Sequence, residues 1–330
     1  MKKELLSGNE AIARGLYEAG VRFASAYPGT PSTEILENYA RYDQVYAEWA
    51  PNEKVAVEVA IGAALGGIRA VAVMKHVGVN VAADPVFTVS YTGIEGALVI
   101  ITADDPSMHS SQNEQDNRNY AKFAKIPMLE PADPQEAKEY IKLAFELSEK
   151  FDTPVFLRST TRVSHSKSVV SLDEPLLPAD KPSLATNAEK YVMVPINART
   201  RRVEVEKRQQ ILKEFVETFP ENKMELNSTE VGIITAGMPY NYAKDVFPDY
   251  SYLILGMVYP LPEKKIRAFA AKVDKLYVVE ELEPFFEEQI RAMGLDVAGK
   301  ELFTVQGEYS ANLIADKIGG KKTDIADIDA

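Results

Sequence analysis

The sequence predicts an α/β fold: a parallel sheet flanked by helices in the first half, and a smaller α/β unit in the second. Three observations lead there. Short apolar runs (Arg69–Met74, Ala97–Thr102 and Pro154–Leu157) have the length and β-branched content of strands buried on both faces. Helix-patterned segments separate the runs, which is the order of βαβ units. The same alternation returns after Glu230, behind a stretch carrying Pro175, Pro178, Pro182 and Pro195.

Taken in order, Ser7 and Glu10 have the spacing of a capping box and open a helix over Asn9–Ala19. A short strand follows at Val21–Ala26, and the turn Tyr27-Pro-Gly-Thr-Pro-Ser-Thr33 then starts a helix near Thr33. Asn52 is placed to cap an Ala/Gly-rich helix running to about Gly67, whose small residues permit close packing. Asp133–Lys150 is a helix with regularly spaced apolar positions, and the highly charged helix Thr200–Phe219 bridges to the second unit. There strands Val231–Thr235, Tyr252–Leu255 and Leu276–Val279 alternate with helices Tyr242–Phe247, Glu263–Lys272 and Phe285–Met293. At ~100–200 residues per domain the length suits two domains. The expected boundaries are 1–172, a linker and bridging helix over 173–227, a second domain over 228–318 and a tail over 319–330.

Composition removes several function classes. With 46% apolar and 26% charged residues the chain is an ordinary globular protein. A formal charge of −12, from 37 basic and 49 acidic residues, argues against nucleic acid and anionic membrane as partners. The absence of cysteine excludes disulfides, thiolate metal sites, cysteine nucleophiles and iron–sulfur clusters held by these 330 residues. Three histidines (His76, His109 and His165) make a histidine-rich metal site an unfavourable reading, and no metal site is expected. No apolar run has bilayer-spanning length and the N-terminus lacks a signal-peptide core, so a cytoplasmic location is expected.

In open α/β sheets ligands collect where loops leave the carboxyl ends of parallel strands. Four polar segments meet that condition: Tyr27–Thr33, His76–Asn80, Ala103–Arg118 and Arg158–His165. Glu53, in the first turn of the small-residue helix, reads from its position alone as a carboxylate complementing the helix dipole. Glu58 lies too far around the helix to share its site. A Rossmann nicotinamide site is disfavoured, because no Gly-x-Gly-x-x-Gly follows the first strand.

The segments Tyr27–Thr33, Asn52-Glu-Lys-Val-Ala-Val-Glu-Val-Ala-Ile-Gly62, Met74-Lys-His-Val-Gly-Val-Asn-Val-Ala-Ala-Asp84 and Asp104–Arg118 resemble the indolepyruvate ferredoxin oxidoreductase alpha subunit. So do Gly232-Ile-Ile-Thr-Ala-Gly237, Leu255-Gly-Met-Val-Tyr-Pro-Leu-Pro262 and Tyr277-Val-Val-Glu-Glu281, so the resemblance covers nearly the whole chain. It implies a pyrimidine-type thiamine diphosphate-binding domain followed by a transketolase C-terminal-like domain. It makes Glu53 the carboxylate that shares a proton with the aminopyrimidine ring, favouring the tautomer able to deprotonate the thiazolium carbon. Thr30 falls near substrate and cofactor, with turn chemistry as its alternative. Arg118 resembles the arginine holding the oxoacid carboxylate, with a solvated surface arginine as its alternative. Pro28, Gly29, His76, Asn80 and His109 are implied along the cofactor, the histidines otherwise being hydrogen-bonding loop residues.

The same resemblance implies oxidative decarboxylation of an aryl pyruvate to an acyl-CoA, with ferredoxin as electron acceptor. Pyruvate, 2-oxoglutarate or branched-chain oxoacids are alternative substrates, and a non-catalytic assembly module of the same fold is an alternative role. A Gly-Asp-Gly segment for the Mg2+-diphosphate and the cluster thiolates are missing. A diphosphate-domain segment or subunit, a beta or gamma subunit with its clusters, and an oligomeric assembly are therefore expected as partners.

Overall fold

The computed structural model describes residues 2–176 and 186–319, so Pro178, Pro182 and all but the first residue of the expected tail lie outside the described residues. Strand β1 (Lys2–Ser7) leads into helix α1 (Gly8–Glu18). Its capping box forms as the spacing predicts: the Glu10 N–H donates to Ser7 Oγ at 3.2 Å and the Ser7 N–H to Glu10 Oε2 at 2.7 Å. Then come β2 (Phe23–Ala26), α2 (Thr33–Tyr39), β3 (Tyr46–Trp49), α3 (Glu53–Leu65), β4 (Arg69–Lys75), α4 (Gly78–Thr92) and β5 (Ala97–Asp104). The first unit closes with α5 (Arg118–Ala124), β6 (Met128–Leu129), α6 (Pro134–Phe151), β7 (Val155–Thr160), α7 (Thr161–His165) and β8 (Lys167–Leu172).

Strands β4, β5 and β7 are buried almost end to end, because both faces of their sheet are covered by helices. Strand β1 pairs antiparallel with β8 in a separate two-stranded ribbon. The sequence reading placed no strand at either position, since half-exposed Lys2–Ser7 and Lys167–Leu172 lack an apolar run.

The second unit begins after α8 (Ala188–Tyr191) and the long α9 (Pro195–Val216). It contains β9 (Asn222–Glu225), β10 (Val231–Thr235), α10 (Gly237–Val246), β11 (Ser251–Leu255), β12 (Met257–Tyr259), α11 (Glu263–Ala270), β13 (Lys275–Val279), α12 (Phe285–Ala292) and α13 (Ala311–Ile318). Its sheet runs β13-β10-β11-β9, with β9 antiparallel at the edge. That edge strand falls within the stretch expected to be linker and bridging helix. The larger sheet runs β12-β6-β7-β5-β4-β2-β3, so the second unit lends β12 to the sheet of the first.

Candidate functional site

Because β2, β3, β4, β5 and β7 are parallel, the segments after them emerge at one edge of the sheet. After β3, Asn52 caps α3 by accepting the Val55 N–H at 3.0 Å, which places Glu53 in the first helical turn. Glu53 is only 8% exposed. Among the described residues its carboxylate accepts no hydrogen bond and makes no ion pair. The start of α4 lies against it: a Cβ on Gly78 would stand 2.6 Å from Glu53 Cγ and 2.7 Å from its Oε1. Only glycine fits there without moving the carboxylate. Helices α3 and α4 pack against each other, and both carry small buried residues, Ala56 and Ala60 on α3 and Ala82 on α4.

After β2, the Tyr27–Thr33 turn is tied down from within and from outside. The Gly29 N–H donates to Thr33 Oγ1 at 2.9 Å, Ser32 Oγ donates to the Gly29 carbonyl at 2.9 Å, and buried Asn9 donates to the Pro31 carbonyl at 2.7 Å. Thr30 is half-buried and Pro28 exposed on this turn. At the end of β4, Lys75 lays its stem on Gly29, where a Cβ would be 2.8 Å from Lys75 Cδ. Its ammonium donates to the Ser110 carbonyl at 2.8 Å, so one side chain touches the loops after both β2 and β5.

The loop after β5 is organised by Asp105, which accepts from the N–H groups of His109 and Ser110 and from the hydroxyls of Ser111 and Thr161. Burial opposes its charge, yet these donors hold the Asp105 carboxyl below its ordinary range. Ser107 and Met108 take φ of 73° and 53°, a left-handed conformation that non-glycine residues adopt at a cost. Glu114 steadies that bend, accepting the Ser107 N–H at 2.6 Å and the Gly307 N–H of the second unit at 3.0 Å.

Three expected site residues stand elsewhere. Arg118 is 2% exposed, and all three guanidinium nitrogens are engaged, by the carboxylates of Asp116 and Glu280 and the carbonyls of Glu281 and Glu283. It is neither a surface arginine nor free to hold a substrate; it clamps the two units together. His76 is fully buried, its Nε2–H donating to the Asn113 carbonyl at 3.0 Å, so it supports the loop from behind. His109 is half-exposed at the seam, its Nε2 3.4 Å from Glu308 Oε2. Asn80, two residues beyond Gly78, presents an exposed amide bonded to Gln115 and Tyr120.

The fourth segment also departs from the expected cleft. Arg158 is buried between Asp104 at 2.7 Å and Glu130 at 2.6 Å, and Arg162 pairs with Glu308 across the seam. The sequence reading gave no weight to Lys75, although it closes the buried run of β4. A lysine at the carboxyl end of a parallel strand was the available signal.

These features define an α/β protein whose polar loops gather at one sheet edge beside a carboxylate, Glu53, that has no hydrogen-bond partner among the described residues. Residues 14–227 match the model of the family described as pyruvate flavodoxin/ferredoxin oxidoreductase, thiamine diphosphate-binding. The chain is 46% identical over 312 residues to the indolepyruvate oxidoreductase subunit IorA of Archaeoglobus fulgidus, covering 91% of this chain and 50% of that relative. A lower identity, 26% over 368 residues, relates it to the 2-oxoglutarate synthase subunit KorA of Methanocaldococcus jannaschii, covering 97% of this chain and 96% of the relative.

Among solved structures, the fold is similar to a 2-oxoglutarate:ferredoxin oxidoreductase from Magnetococcus marinus (TM-score 0.77, 16% identity, 96% of this chain and 65% of that one). It is also similar to a split-gene transketolase (TM-score 0.61, 12% identity, 95% of this chain and 97% of that one). The chain belongs to the pyruvate flavodoxin/ferredoxin oxidoreductase, thiamine diphosphate-binding family. It spans about half the length of the IorA relatives it matches.

Among the described residues no helix is long and apolar enough to cross a membrane, and no group of three or more His, Asp or Glu could hold a metal ion.

Proposed function

We propose that this chain is the aminopyrimidine-activating component of a thiamine diphosphate-dependent 2-oxoacid:ferredoxin oxidoreductase of the indolepyruvate type. The observation that carries the reading is Glu53: a carboxylate 8% exposed, without a hydrogen-bond partner among the described residues, beside a glycine that leaves it room. The carboxylate is enclosed by its own helix and by Gly78 yet keeps its acceptor capacity free, and a protonated ring nitrogen is a donor that would use it. When bound, thiamine diphosphate supplies a carbon nucleophile and an electron sink for loss of CO2.

The chain's own part is to hold that shared proton at the Glu53 carboxylate and to hold the Tyr27–Thr33 turn with Thr30 beside the reacting atoms. Pro28, Gly29 and Asn80 line the same edge. The iron–sulfur clusters would be bound by other segments or subunits, since these 330 residues carry no cysteine, and the diphosphate end with its Mg2+, CoA and ferredoxin is assigned to the same partners. An aryl pyruvate is favoured over 2-oxoglutarate because the identity to IorA relatives, 46%, far exceeds the 26% to KorA.

The test uses the assembled enzyme with a viologen acceptor. Glu53→Gln should abolish indolepyruvate-dependent reduction while thiamine diphosphate still binds, as followed by quenching of protein fluorescence. Turnover close to wild type would remove the proposal.

A further inference from the structure

With Arg118 engaged at the seam, the cleft needs another cation if it is to receive an acid. Lys54 pairs with Asp84, Arg158 with Asp104 and Glu130, and Arg162 and His109 with Glu308. Lys300 is spent on the Glu280 carbonyl and the Tyr309 hydroxyl. Lys75 differs. Among the described residues it has no carboxylate within ion-pair distance, and its one hydrogen bond is to the neutral carbonyl of Ser110. An ammonium has three donors, so two remain.

The acidic group acting on it, Asp105, is occupied by four donors, three from its own loop and the Thr161 hydroxyl. Half-buried Lys75 keeps its stem on Gly29, the residue before Thr30, while the main chain three residues on reaches Glu53 at Gly78. The side chain therefore bridges the turn after β2 and the loop after β5, and its strand leads directly into the helix start that lies against Glu53.

We propose that the Lys75 ammonium is the anion anchor of the cleft and binds the carboxylate of the 2-oxoacid substrate, the role expected of Arg118. This rests on the thiamine-dependent reading of the cleft. Burial pushes the pKa of the Lys75 ammonium down against the opposing pull of Asp105, and an incoming carboxylate would supply the direct ion pair that Lys75 lacks among the described residues. A lysine acts here as a point charge on a flexible stem, so it can take either carboxylate oxygen while keeping its bond to Ser110.

The experiment compares wild type with Lys75→Met, Lys75→Gln and Lys75→Arg in the assembled enzyme. It reads kcat, KM for indolepyruvate, half-saturation by thiamine diphosphate, and inhibition by 3-phenylpropionate against its neutral amide. Lys75→Gln keeps a donor for the Ser110 carbonyl, so the result survives if Lys75→Met does not fold. The expected result is a KM raised about 10- to 100-fold, the span of one charge-assisted hydrogen bond, with kcat changed far less. Half-saturation by thiamine diphosphate stays as in wild type, preference for the carboxylate inhibitor disappears, and Lys75→Arg restores part of it. Unchanged KM and unchanged inhibitor preference would overturn the proposal. So would a rise in half-saturation by thiamine diphosphate alone, since the ammonium would then serve the cofactor's phosphates. Full turnover in Glu53→Gln sinks the underlying reading instead, and the inhibitor comparison still reports on Lys75.

Discussion

The cleft at the strand ends and the seam between the two units draw on the same residue types and use them in opposite ways. At the seam, Arg118 meets Asp116 and Glu280, and Arg158 meets Asp104 and Glu130, all at exposures of 5% or less. Phe285 and Phe286 stack against the Arg118 guanidinium, with ring centroids 5.1 and 4.8 Å away. In the cleft, Glu53 has no partner among the described residues and Lys75 has only a carbonyl. Residue type does not separate the two regions; whether a charge has an ion-pair partner does, although Asp104 Oδ1, Glu130 Oε2 and Arg158 Nη2 each remain buried without a hydrogen bond. The Arg118–Glu280 pair joins the units and the Arg158 pairs brace the first unit beneath it, while Glu53 and Lys75 keep their ion-pairing capacity unused.

The largest effect on this comparison is expected at the seam. Arg118→Met leaves Asp116 and Glu280 buried without their cation, and should lower stability by about 3–5 kcal/mol in denaturant titrations. KM for the oxoacid should stay near wild type in whatever folds. A large rise in KM at unchanged stability would return Arg118 to the substrate and break the contrast.

Next comes Gly78→Ala, whose Cβ must push Glu53 aside. Misplacement on the scale of 1 Å should reduce turnover by about a hundredfold, while thermal unfolding moves little.

Glu281 sharpens the seam side through pH. Burial raises its carboxyl pKa to about 7, with Glu308 and Glu130 acting in the same direction and the Tyr309 N–H and Arg158 opposing. A raised carboxyl pKa means the folded state holds the proton more tightly than the unfolded chain. Its contribution is therefore fully present below the ordinary value near 4.5, declines as pH rises, and is gone above about 7. Glu281→Gln should flatten the fall in melting temperature between those limits, a term on the order of 3 kcal/mol. An unaltered pH profile would mean that Glu281 is not held protonated.

The smallest effect is Glu53→Gln on stability. It removes only a helix-dipole contribution from a partnerless group, so unfolding free energy should shift by no more than about 1 kcal/mol. A large loss would show that Glu53 is part of the scaffold.

Much of this contrast was legible in the sequence on one side only. The buried strands, the Ser7–Glu10 box and the Asn52 cap follow from apolar runs and local spacing, so Glu53 could be placed at a helix start. Ribbon β1–β8 and edge strand β9 were missed because partly exposed strands need no apolar run. Arg118 was misjudged for a different reason. Its partner Glu280 lies 162 residues away, and nothing local in Asp116-Asn-Arg118 announces burial by a second unit. Lys75 and His76 are adjacent in sequence, and only the strand-end geometry shows that the His76 ring is buried while the Lys75 ammonium reaches the loops.

The account stands most directly on the exchange rate of the thiazolium C2 proton in the assembled enzyme, followed by NMR in deuterated buffer. Wild type should exchange it fast and Glu53→Gln at close to the rate of free thiamine diphosphate. Equal rates in the two enzymes would contradict the role given to Glu53.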